Sequence, residues 1–140
     1  MLAAAAFRKV KRARVKPADP KRCPPYIRWQ RDLPCFLSIH CPTHVCEGVV
    51  MACHFDPWGD KGTGTKVSDC ASMPMCWAAH DEQTNRLGWP KFQAKYGFDG
   101  RDVVTAYWLQ FLTTPKGRKW EAEGTLPRPS VTEEDYRYGR

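Results

Sequence analysis

No stretch of this sequence approaches the roughly 20 consecutive apolar residues that a membrane-spanning helix requires. A soluble chain with no membrane partner is therefore expected. An export pattern is also lacking: residues 1–6 are apolar but precede the basic run, whereas a secretory signal puts its positive charges first. Acidic residues are scarce at the start, where residues 1–22 hold Asp19 alone against Arg8, Lys9, Lys11, Arg12, Arg14, Lys16, Lys21 and Arg22. The formal net charge of +7 thus sits in this arm, because the rest of the chain carries fourteen basic and fourteen acidic side chains. Such an arm gains counterion-release energy from phosphates without reading sequence, which points to a nucleic acid and selects Arg8, Lys9, Lys11, Arg12 and Arg14 as its contacts. A solvated tail is compatible with that role, and a mitochondrial presequence is the competing reading of an Arg-rich, acid-poor start. The sequence shows no internal repeats.

What is present fits one domain. A length of 140 residues matches a single core. Six Trp, six Phe and five Tyr supply apolar bulk, while twelve Pro and ten Gly assign much of the chain to loops. Seven Cys in a chain without an export pattern indicate metal binding or reduced thiols rather than a disulfide framework.

Pro17, Pro20, Pro24 and Pro25 separate a basic flexible arm, residues 1–25, from a domain over residues 26–112. Within that domain, Tyr26, Trp29 or Gln30, and Leu33 share a helical face that ends at Pro34. Residues 49–55, β-branched and apolar, read as a strand; residues 56–69 are a loop containing Gly59, Gly62 and Gly64. A second short strand over 73–76 and a helix over 77–87, stopped by Gly88, follow. A further helix starts at Asp99 or Gly100, with Asp99 as N-cap, and runs to Leu112; Val103, Val104, Tyr107, Trp108, Phe111 and Leu112 form its apolar face. Residues 113–140 turn polar and proline-bearing and read as a loosely docked tail.

Each Cys or His alone has an ordinary explanation as a buried thiol or a hydrogen-bonded ring. All seven Cys and four His between positions 23 and 80 form a cluster that favours metal. A structural Zn2+ needs four soft ligands in tetrahedral array, and Cys41-Pro42-Thr43-His44-Val45-Cys46 has knuckle spacing with a turn-forming proline. Cys76, at the end of the second strand, approaches from the other side. Cys35 is the most economical fourth ligand, with His44 and Cys70 as substitutes; Cys23, Cys53 and Cys70 read as free buried thiols.

The segments YIRWQRDLPC, ACHF, GTGTKVSDC and MPMCWAAHDEQTN, over about residues 26–98, resemble the HNH nucleases of phages and prophages, including the recombination-enhancing Ref type. The spacing of His54, Gly62, Gly64, Lys66, Asp69, Cys76 and His80 carries the resemblance. It implies an α+β fold, a small zinc-stabilised ββα-metal (His-Me finger) core with additional helices and irregular termini. It also implies a divalent-metal endonuclease acting on DNA, with Mg2+ or Mn2+ as the catalytic ion. His54 would take the proton of the attacking water, a task suited to the side chain that titrates nearest neutrality. His80 is the matched ligand of the catalytic ion, and Lys66 in the glycine loop would face a phosphate. A recombination protein filament on DNA is a further implied partner, and the cytoplasm of a bacterial or phage-infected cell the implied location.

The sequence departs from the pattern in places. Ala79 interrupts the Cys or His pairing between Cys76 and His80. The group's last His falls on Thr84, beside Asn85, which can offer only oxygen ligands. Cys53 replaces a carboxylate or His before the base, leaving Asp56 or Asp60 to supply an oxygen. These departures sustain a second reading, a zinc-stabilised, non-catalytic DNA-binding module. A Cys-rich assembly protein is a third, and it leaves His54 and the glycine loop unexplained.

Overall fold

The computed structural model describes residues 21–58 and 67–124. Helix α1 (Pro24–Arg31) carries its two prolines in the first turn, where a missing N–H has no helical partner to lose. A short helix, α2 (Phe36–His40), starts from Cys35 and closes on Cys41, whose amide donates to Leu37 O. Strand β1 (Val50–His54) leads through a 3-10 turn at Asp56–Trp58 toward β2 (Ser72–Cys76). The strands pair antiparallel, with Val50 opposite Cys76 at one end and His54 opposite Ser72 at the other. Phe55 N donates to Ala71 O at 2.8 Å and extends the pairing by one step. Both strands are edges of a two-stranded sheet, the setting in which Pro74 is tolerated.

Helix α3 (Trp77–Asp81) leaves β2 without a connecting loop and continues as a π-helical turn over Glu82–Leu87. Gly88, at φ +72°, resets the direction for α4 (Gly88–Tyr96), since only glycine adopts such a φ without strain. Helix α5 (Gly100–Leu112) is capped by the Asp99 carboxylate, which accepts from Arg101 N. Helix α6 (Pro115–Ala122) is capped by the Thr114 hydroxyl, which accepts from Gly117 N.

The sheet sits at the centre of the larger core. All of β2 is buried, Met73 and Met75 included, and Leu37, Cys53, Trp89, Phe92 and Val104 belong to the same core. A second, aromatic cluster joins α1 to the C-terminal helices: Tyr26 lies edge-on to Trp108 at 4.9 Å and 5.1 Å from Phe111. Gly117 is there because a Cβ would meet Phe111 O at 2.0 Å.

The chain is a small mixed α+β domain, as expected, with both strands and the helix over 100–112 close to their anticipated bounds. Other features were not anticipated. The helix after β2 changes to π geometry halfway, α4 follows directly beyond Gly88, and the stretch read as a tail contains α6 packed on Phe111. The sequence signals for these were weak because a helix docked on aromatics needs little propensity of its own. No helix among the described residues is long and apolar enough to cross a membrane.

Candidate functional site

Chemistry-bearing side chains gather at the two ends of the β1–β2 hairpin. At the Val50–Cys76 end, Cys35, His44, Cys46 and Cys76 bring their ligand atoms within 4.8 Å of one another. Three separate segments supply them. Cys35 is fixed where Pro34 yields to α2, and Cys76 where β2 turns into α3. His44 and Cys46 come from the loop after α2, whose turn is set by His44 N donating to Cys41 O at 3.0 Å. Cys35 and Cys76 are buried, whereas Cys46 lies at the surface.

The hydrogen bonds around this group polarise it. Cys76 Sγ lies 3.5 Å from Ala79 N in the first turn of α3 and 3.4 Å from His44 Nε2. Burial pushes the Cys76 thiol up, but the Ala79 amide and the His44 ring outweigh it and bring it down to about 7. Desolvation, then the neighbouring Cys35 and Cys76 sulfurs, push Cys46 up to about 12. Ionisation is thus favoured at Cys76 over Cys46. Three sulfurs and one imidazole nitrogen are a tetrahedral zinc donor set; Zn–S bonds of about 2.3 Å place such ligand atoms about 3.8 Å apart. The group could hold a metal ion such as zinc.

Of the thiols assigned to zinc from the sequence, Cys35, Cys46 and Cys76 converge and Cys41 does not. His44, named as a substitute, stands in its place. The Cys41 thiol lies 3.3 Å from the Thr43 hydroxyl, and that hydrogen bond is the main cause that lowers its pKa. Cys41 to Cys46 spacing satisfies a knuckle in sequence, yet the Cys41 thiol faces Thr43, and the turn its backbone anchors brings His44 to the group. Cys23, Cys53 and Cys70 are buried free thiols, and all seven cysteines are unbridged. Burial raises Cys23 to about 11 and also raises Cys70, as inert thiols require.

At the other end, His54 closes β1, and its Nε2 lies 2.8 Å from Asp69 Oδ1. Asp69, 5% exposed at its side chain, also accepts from Arg22 Nη1 and from Cys23 N, each at 2.7 Å. Burial pushes the Asp69 carboxyl up, but these hydrogen bonds and the Arg22 charge outweigh it and hold it below the ordinary carboxylate value. Ser72 Oγ donates to Asp69 O at 2.6 Å and accepts from Gln30 Nε2 at 2.7 Å, so α1 braces the turn from behind.

His80 lies on α3, four residues past Cys76. Burial is the main cause that lowers its pKa, and His54 adds to it, against the charges of Asp56 and Asp81. Thr84 Oγ1 sits 3.5 Å from His80 Nδ1, one turn on, and donates to Gln83 Oε1 at 2.9 Å. Asn85 is turned to another task, its amide donating to Asp81 Oδ1 at 2.7 Å. The structure thus brings His80 and Thr84 together and pairs Asn85 with Asp81. Among the described residues, the Cys35 group is the one set of three or more His, Cys, Asp or Glu ligands that converges. Lys66, Gly62, Gly64, Asp60 and the arm residues Arg8, Lys9, Lys11, Arg12 and Arg14 lie outside the described residues.

Sequence reasoning placed Asp69 in the motif without giving it a task. Its signal was the motif position alone, because the partners Arg22, Cys23 and His54 lie 47, 46 and 15 residues away. No family model, curated protein or solved structure matches the chain.

Proposed function

We propose that this protein is a divalent-metal-dependent endonuclease of the ββα-metal kind that hydrolyses DNA phosphodiester bonds. Zinc at Cys35, His44, Cys46 and Cys76 is its structural staple. The observation that carries the reading is His54, at the end of β1, with its Nε2 held 2.8 Å from the buried Asp69 carboxylate. The order of strand, strand and helix, with one imidazole at the end of the first strand and one on the helix, is what such chemistry asks of a small domain.

In this reading His54 takes a proton from a water whose oxygen attacks phosphorus; one P–O ester bond breaks, and the leaving oxygen is protonated from solvent. A Mg2+ or Mn2+ ion, when bound, supplies positive charge to the phosphate oxygens. His80 would hold it, with Thr84 beside the ring. A sparse protein donor set fits an ion that keeps several waters and shares its coordination with substrate phosphate. Lys66 and the basic arm would add phosphate contacts.

The test is plasmid nicking with magnesium or manganese, comparing the wild type with His54→Ala. Cleavage by the wild type that falls about 10²- to 10⁴-fold in the variant, the usual worth of a positioned base, supports the reading. An inert wild type, with DNA binding intact, would instead establish the non-catalytic DNA-binding module. That second reading draws on Asn85 being committed to Asp81 and on Thr84 standing where a second imidazole would serve the ion better.

A further inference from the structure

Asp69 is the most heavily tied polar group at the His54 end, and the proposed hydrolysis gives it no task beyond holding the ring. Its Oδ1 receives Arg22 Nη1 at 2.7 Å and faces His54 Nε2 at 2.8 Å, while its Oδ2 receives Cys23 N at 2.7 Å. Its own amide donates to Lys21 O at 2.8 Å, and Arg22 Nη2 reaches Val67 O at 3.3 Å. The segment where the basic arm enters the domain is therefore laced to both the backbone and the carboxylate of one residue.

The chemistry of these contacts fixes the ring. An ionised carboxylate only accepts hydrogen bonds, and a carboxylate already receiving a guanidinium and a backbone amide is the ionised form. His54 must then donate, which places its ring N–H on Nε2. In the neutral ring the lone pair is left on Nδ1. We infer that Asp69 is the positioning residue of the site, presenting His54 Nδ1 as the basic nitrogen, and that Arg22 and the Cys23 amide hold Asp69 for that task. The inference rests on the nuclease reading for its purpose but not for its geometry.

The two are separable by experiment on the full chain. In the wild type, the His54 Nε2–H should appear as a downfield proton resonance protected from exchange with water, correlated to Nε2 in a 15N-edited spectrum. Asp69→Ala should abolish that resonance, and Arg22→Gln should broaden it while keeping fold and zinc content. If DNA is cleaved, Asp69→Ala should lower kcat about 10²- to 10⁴-fold, with KM and metal requirement little changed, because a base in the wrong orientation is lost as a base. Asp69→Asn, which keeps the shape but sets an NH2 group against one of the three donors, should fall by a comparable factor.

A wild-type His54 proton on Nδ1, or a protected Nε2–H that survives Asp69→Ala, overturns the inference. So does a cleavage defect in Asp69→Ala that excess manganese repairs, which would make Asp69 a metal ligand. Should the Asp69 variants fail to fold, the wild-type resonance and its response to Arg22→Gln decide. If no DNA is cleaved, the nuclease reading falls while the resonance still tests the tautomer.

Discussion

The two ends of the hairpin are four residue steps apart along β1, about 13 Å, and they solve opposite problems. At the sulfur end, three thiols and an imidazole crowd together with few hydrogen bonds of their own, a donor set that a metal ion such as zinc could complete. At the imidazole end, Asp69 already has a guanidinium, an amide and a ring to bond, so that end is organised by the chain alone. One end could hold a metal ion such as zinc; the other fixes a ring against a buried carboxylate. The two groups stand on separate residues at opposite ends of one small sheet.

The sharpest way to break this contrast is to remove a sulfur ligand. Cys76→Ser or Cys35→Ser should cost most of the stability, since zinc binding to such sites contributes on the order of 10 kcal/mol. Thermal unfolding should lose its cooperative transition, and elemental analysis should show zinc lost. Cys41→Ser should do neither, whereas His44→Ala should resemble the sulfur variants. Zinc loss in Cys41→Ser with retention in His44→Ala would mean that the ligand set is wrong.

His54→Ala probes the opposite end. Its cleavage defect of about 10²- to 10⁴-fold should come with wild-type zinc content and a melting temperature near that of the wild type. A collapse of stability there would show that His54 is a structural partner of Asp69 and nothing more.

A smaller effect is expected at His80. His80→Ala should raise the metal concentration needed for half-maximal cleavage by about tenfold or more, the order seen when metal-site ligation is weakened. Thr84→His, adding an imidazole beside the His80 ring, should lower that concentration; no change in either variant would move the ion elsewhere.

Smallest per residue is the arm. Deleting residues 1–20 should weaken DNA binding at all sequences and flatten its salt dependence by about one unit per lost phosphate contact. The cut must stop before Lys21, because Lys21, Arg22 and Cys23 bond Asp69; removing Arg22 as well would disturb the site along with the arm. Deletion of 1–20 that leaves affinity and slope unchanged would assign the arm to another purpose.

Local pattern in the sequence was enough for the strands, for α5 with its Asp99 cap, and for metal chemistry somewhere among the Cys and His residues, because periodicity, capping and residue chemistry act over a few neighbours. Which thiols converge was settled only in three dimensions. Cys41 and His44 both lie within five residues of Cys46 along the chain, and the choice between them depends on where α2 ends and how the next turn swings toward β2. The same holds for Asp69: its motif position is visible, but its task follows from packing the arm's entry, the turn before β2 and the end of β1 into one buried space. A buried charge must find partners wherever the fold puts them, and sequence distance does not limit that search.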